Sequence, residues 1–126
     1  MQLRILQLKE DKKDKLFDSK NAQELLDIYE GYYTQFGFDL PWVAYLIIKQ
    51  NQVVGTCSFI TKPKDGKVEI AYWTFKDFEM QGVASFGCKE LVKIAKNADP
   101  AIIITAKTAP EYNPSTKILE KNGFIF

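Results

Sequence analysis

The residues with the clearest chemical potential lie between Val68 and Ala84. A run that reads as a strand, Val68 to Phe75, passes through Lys76 to Gln81 into Gly82, and a helical stripe starts at Val83. Backbone N–H groups in the first turn of a helix have no carbonyl partner and sit at the positive end of its dipole. Such a junction can hold a phosphate or diphosphate. Gly82 lets a ligand approach the backbone closely, and Ala84 keeps the next turn narrow. A glycine at a helix start is also an ordinary turn, and on this segment alone that reading stays open. Glu69, on the strand, can accept a proton or simply face solvent.

The rest of the composition narrows the chemistry. The chain of 126 residues contains no histidine, which excludes Ser-His-Asp and Cys-His catalysis and any zinc site that needs imidazole. A general base must then be a carboxylate, a tyrosine, a lysine or a water. Lys and Arg number 17 against 16 Asp and Glu, so the formal charge of +1 argues against a nucleic-acid partner held by phosphate neutralisation. Cys57 and Cys88 form no CxxC pair and have apolar or small neighbours, and read as small core residues of a protein in a reducing compartment. No metal site is expected. Nothing resembles a signal peptide or a membrane span, so a cytoplasmic location with no membrane partner is expected. The length fits one domain, 1–126.

These residues need a scaffold, and the hydrophobic pattern supplies one. Leu3 to Leu8 reads as a short strand, ended by the charge cluster Lys9 to Lys15, which is expected to be a solvated face. Ala22, Leu25, Leu26, Tyr29, Tyr33 and Phe36 recur at helical spacing, with Asn21 and Glu24 as a capping box and Gly37 just past the end. Val43 to Ile48, Val53 to Ile60 and Val68 to Phe75 then form an antiparallel meander, broken at Gln50-Asn51-Gln52 and at Asp65-Gly66. A second helix runs from Val83 to about Asn97. Ala101 to Ala106 is apolar enough for a strand covered on both faces, parallel to the one before the helix. A short helix over about Asn113 to Lys121 and a terminal strand Phe124 to Phe126 complete an α/β chain with a mixed sheet.

The order of these elements, with two motifs, resembles the GNAT superfamily of N-acetyltransferases over roughly Trp42 to Phe126. Glu79, Gly82 and Ala84 occupy the positions of that family's acyl-CoA loop, (Gln/Arg)-x-x-Gly-x-(Gly/Ala). Ile118 to Phe124 is similar to the Val-Leu-Glu-Lys-x-Gly-Phe of the branch that acetylates ribosomal-protein N-termini, spermidine and some antibiotics, and Glu69 to Trp73 fits the same branch. The resemblance implies a mostly antiparallel sheet with a splayed parallel strand pair, acetyl-CoA as cosubstrate, and a small-molecule amine or peptide N-terminus as acceptor. Backbone groups near Trp73 and Thr74 would pair with the pantetheine amides. The N–H groups of Met80, Gln81, Gly82, Val83, Ala84 and Ser85 would cradle the diphosphate, with Asn113 also at the cofactor. Trp73 has an alternative reading as core. Glu69 is the implied base, and Tyr112 or Ser115 could protonate the departing thiolate, although Asn113 and Ser115 also read as plain helix caps.

Several positions depart from the family pattern. Glu79 stands for Gln or Arg, Met80 for a common Gly, Phe86 for Glu, Tyr112 for Asn, and Leu119 for the usual tyrosine acid. A CoA-binding module without catalysis is therefore the second reading. Tyr29, Tyr32, Tyr33, Phe36, Phe38 and Trp42 offer either an acceptor wall or core packing. The sequence ends three residues beyond Gly123, where relatives continue with a further strand, so an uncovered strand edge and hence a homodimer are expected. Light scattering at micromolar concentration checks this, and a monomer there refutes it.

Overall fold

Two tight turns set the register of the sheet. Gln50 and Asn51, with φ of 52° and 60°, join β2 (Ala44–Lys49) to β3 (Gln52–Lys64). Asp65 and Gly66, with φ of 53° and 75°, join β3 to β4 (Lys67–Thr74). Two successive residues in the left-handed region give the turn whose twist matches antiparallel strands, and Asn, Asp and Gly enter that region at least cost. The computed structural model describes residues 1–7, 9–10 and 13–106. With β1 (Gln2–Ile5) and β5 (Ile103–Ala106) they form one sheet in the order β1-β2-β3-β4-β5, antiparallel except for the β4–β5 pair. The α/β mixed sheet expected from the sequence is the one observed. The last helix and terminal strand, with Tyr112, Asn113 and Ser115, lie outside the described residues.

α1 (Lys20–Phe36) covers one face of the sheet. Its cap is Ser19, not Asn21: Ser19 is extended and accepts the Ala22 N–H at 3.1 Å, whereas Asn21 already lies inside the first turn. Gly37 ends the helix as expected, with φ of 89°. Tyr33 ties the helix to the sheet. Its buried hydroxyl donates to the Leu6 carbonyl at 2.9 Å and accepts the Ala44 N–H at 3.0 Å, so both hydrogen-bonding roles of the phenol are used. The first strand is shorter than its apolar run, ending at Ile5. The charge cluster is not wholly solvated either: the Glu10 carboxylate is buried against the Arg4 guanidinium at 2.8 Å and accepts the Gln7 N–H.

α2 (Val83–Ala98) covers the opposite face through two glycines. A Cβ on Gly87 would lie 2.9 Å from Ile47 Cδ1 and 3.0 Å from Cys57 Cβ, so the helix rests directly on β2 and β3. A Cβ on Gly55 would meet the Trp73 carbonyl at 2.5 Å and Val83 Cγ1 at 3.2 Å. Cys57 and Cys88 are buried here as free thiols. Burial raises both pKa values, that of Cys88 to about 11, with Cys88 and Glu90 adding to the effect on Cys57. β5 differs from expectation. It starts at Ile103, and Ile103 is 54% exposed with Thr105 beside it, so this face has no cover among the described residues. None of the described helices is long and apolar enough to cross a membrane.

Two glycines inside helices should respond oppositely to alanine. Among the described residues nothing lies within 4 Å of a Cβ on Gly31, so G31A should stabilise by about 1 kcal/mol through helix propensity. G87A should cost about 1–3 kcal/mol by overpacking. Urea melts check both, and two shifts of the same sign would contradict this packing. The thiols predict a pH effect. Above pH 9.0 an unfolded thiol ionises while folded Cys88 keeps its proton to about 11. The folded state then binds more protons, and stability falls as pH rises through that window. Melts between pH 8 and 11 should show a smaller decline in C88A than in the parent chain.

Candidate functional site

The strand-to-helix junction is built by steps in which the chain runs out of ladder partners. Phe75 is buried and donates its N–H to the Val54 carbonyl at 3.0 Å, the last hold of β4 on β3. A short 3-10 turn, Lys76–Phe78, follows. Met80 and Gly82 then adopt left-handed φ of 66° and 80°. Met80 pays the larger steric cost, since it carries a Cβ, and its side chain is 92% exposed. A strained residue whose side chain packs on nothing is a feature found at functional loops.

Gly82 is the N-cap of α2, and the Phe86 N–H bonds its carbonyl at 3.0 Å. The N–H groups of Val83, Ala84 and Ser85 thus precede the first intrahelical bond. Among the described residues no side chain caps this end, and its first turn holds no acid. Among the described residues nothing lies within 4 Å of a Cβ placed on Gly82, so none of them fills the space in front of the helix end.

β4 and β5 pair from Lys67↔Ile103 to Ile70↔Ala106, and among the described residues the pairing goes no further. β4 itself runs on to Thr74. Successive strand residues direct their N–H and C=O groups to opposite edges. Phe75 bonds toward β3, so the edge groups of Thr74 turn the other way, to the side where no described strand runs. The result is a strand edge leading straight to an open helix end. An extended amide chain that ends in a diphosphate fits both parts of this arrangement, and on these observations the residues present suit acyl-CoA.

Glu69 and Trp73 share one face of β4, the face that α1 covers farther along the sheet. Trp73 pairs with Thr56 and Glu69 with Ile60. Trp73 is 43% exposed and meets Phe75 edge-on at 5.2 Å, so it is not a core residue. Beside Glu69 the register of β3 breaks between Ile60 and Lys64, where Thr61 has φ of 59° and Pro63 can donate nothing to a ladder. The Thr61 N–H leaves the sheet and donates to the Tyr32 hydroxyl at 3.1 Å. Burial raises the Tyr32 pKa, the Thr61 N–H opposes this, and the charges of Tyr29 and Glu69 add to the rise, so Tyr32 stays a neutral phenol near Glu69. Tyr29 reaches Ser58 on β3 at 3.4 Å. The aromatic set of α1 is therefore divided. Tyr33 is core, Tyr29 and Tyr32 are half-buried and tied to β3, and Phe36 is exposed.

Three residues here went unmarked in the sequence. Thr56 and Ser58 are the buried polar residues of β3 on the Glu69 face, a β-strand pattern that apolar counting passes over. Lys49, at the end of β2, donates from Nζ to Gln81 Oε1 at 3.2 Å, and Gln81 Nε2 in turn reaches the Asp77 carbonyl at 3.5 Å. Only the strand order brings Lys49 to this loop. Among the described residues no cluster of three or more His, Cys, Asp or Glu could hold a metal ion.

Comparison with known proteins gives a consistent result. The sequence profile of the acetyltransferase (GNAT) domain matches residues 6–125. An uncharacterised N-acetyltransferase of Bacillus subtilis, YjdG, is 30% identical over 92 residues, which is 71% of this chain and 52% of that protein. The chain thus spans about half the length of this curated relative. A ribosomal L7/L12 alpha-N-protein acetyltransferase, RimL, solved in complex with coenzyme A, superposes with a TM-score of 0.61 at 21% identity, covering 83% of this chain and 58% of that one. A ribosomal-protein-S5-alanine acetyltransferase from Vibrio fischeri gives 0.64 at 16% identity, covering 98% and 78%. At these identities the structures speak for the fold alone, while the profile, matched over almost the whole sequence, assigns the lineage: the chain belongs to the GNAT acetyltransferase family.

Proposed function

We propose that this protein is an acetyl-CoA-dependent N-acetyltransferase whose acceptor is a primary amine, either a small molecule or a peptide N-terminus. The observation that carries the reading is the junction of the Thr74 strand edge with the uncapped end of α2. Membership of the GNAT family supports acetyl transfer. The relatives named for ribosomal-protein N-termini support an amine acceptor. The cosubstrate supplies an acyl group activated as a thioester, and amide formation breaks the C–S bond.

The chain's own residues do the rest. Thr74 and Trp73 line the path of the pantetheine arm, Thr74 through its edge amide and carbonyl and Trp73 through its ring. Val83, Ala84 and Ser85 offer N–H groups to the diphosphate, with Met80, Gln81 and Gly82 shaping the approach, and Asn113, outside the described residues, is assigned to cofactor binding by its place in the family pattern. Glu69 takes the proton of the attacking amine, directly or through a water. An alkyl amine has a pKa near about 10 and is mostly protonated at neutral pH, so it needs such a base. Tyr112 or Ser115 returns a proton to the thiolate. The half-buried Tyr29 and Tyr32 stand over the Glu69 face and suit a cationic acceptor by ring contact. The second reading, a CoA-binding module without turnover, is favoured by the acidic Glu79 in the loop.

Two measurements test these readings. Thermal melts with CoA and acetyl-CoA, together with thiol release across polyamines, aminoglycosides, amino acids and peptide N-termini, should show stabilisation by both ligands and release accelerated by one acceptor class. Stabilisation without release supports the module, and neither effect removes both readings. E69Q should lower kcat/KM by about 10²-fold or more at neutral pH, with the deficit shrinking as pH approaches the pKa of the amine. An unchanged rate, or a loss independent of pH, removes Glu69 as the base.

A further inference from the structure

We infer that Lys49 is a phosphate-binding residue for the nucleotide end of acyl-CoA, delivered to the loop from a strand two places away in the sheet. The inference rests on the acyl-CoA reading above and goes beyond it, because Lys49 belongs to neither motif.

β2 and β4 are both antiparallel to β3, so they run in the same direction and end at the same side of the sheet. The Gln50-Asn51 turn therefore lies at the side where α2 begins, and the packing of Val83 on Gly55 and of Gly87 on Ile47 holds that helix end over β2 and β3. Lys49 Nζ lies 3.2 Å from Oε1 of Gln81, the residue just before the N-cap Gly82. An ammonium has three donors, and among the described residues its single bond is to a neutral amide oxygen, which leaves two donors to offer and no paired charge.

The electrostatics point the same way. The loop carries Lys76, Asp77 and Glu79, a net negative segment where a dianionic group must dock. Among the described residues neither Asp77 nor Glu79 forms an ion pair with Lys49. The ammonium instead sits near the positive end of α2, which has no acid in its first turn, and like charges are disfavoured there. A phosphate between the two relieves this repulsion and offsets the Asp77 and Glu79 charges. Gln81 acts as a strut that holds the ammonium on the ligand side.

Isothermal titration of the full chain with CoA, dephospho-CoA and pantetheine tests the assignment, with K49M and K49R as variants. K49M should weaken CoA binding about five- to tenfold, the loss of one charge-assisted bond to phosphate, and K49R should restore part of it. Pantetheine affinity and the melting temperature without ligand should not change. A loss for CoA that disappears for dephospho-CoA places Lys49 at the 3′-phosphate, and a loss for both places it at the diphosphate. Equal CoA affinity in K49M and the parent chain overturns the proposal, as does an equal loss for pantetheine. A parent chain that binds neither CoA nor acetyl-CoA defeats the acyl-CoA reading itself, and the proposal with it.

Discussion

The close approach of α2 to the middle strands is the constraint on which the rest depends. At Gly87 and Gly55 the absence of a side chain lets the helix and the sheet come nearer than any other residue would permit. That contact, sealed by buried Val83, Cys88 and Leu91, fixes the height and the direction at which the helix starts. The chain leaving β4 must then climb from Phe75 to Val83 within a few residues, which it does by a 3-10 turn and two left-handed residues. The strain at Met80 and the uncapped helix end both follow from this geometry. Among the described residues they make a dipole end with nothing in front of it instead of a satisfied cap.

The opposite face obeys a different logic. There α1 is held by hydrogen bonds as much as by apolar contact. Tyr33 joins two backbone groups, Tyr32 takes the N–H that the Thr61 irregularity frees, and Tyr29 meets Ser58. Among the described residues no buried side-chain polar atom lacks a partner. A phenol buried with both roles filled fixes the orientation of a helix more narrowly than apolar packing alone, because a small slide breaks the bonds. The face beyond α1, with Glu69, Trp73 and Ile103, is left more open. One side of the sheet thus carries a close-packed helix that aims a dipole, and the other carries a ring-lined surface beside a carboxylate.

Much of the architecture was legible from local signals. The hairpins followed from Asp65-Gly66 and from the polar Gln50-Asn51 break, because a two-residue turn needs left-handed residues and few types provide them. The two amphipathic stripes gave both helices, and Gly37 and Gly82 marked one boundary of each. Where the reading missed, two local candidates competed. Asn21 and Ser19 both cap well, and only the entry angle of the chain selected Ser19. Ala101 to Ala106 looked covered on both sides, since β-branched composition records strand propensity and not the neighbours above and below. Lys9 to Lys15 looked solvated, yet Glu10 is drawn inward by Arg4, a partner on another element.

The sequence by itself determined the alternation of strands and helices, the family pattern, and the place along the chain where an anion could dock. These are properties of neighbours in sequence, encoded by period, by glycine position and by the residue types that turns require. Tertiary structure alone decided which way Thr74 turns its edge groups, that Trp73 stands at the surface, and that Tyr32 lies near Glu69. It also brought Lys49 to Gln81. Those relations depend on strand order and register, which follow from packing over the whole sheet, and no local spacing in the chain carries them.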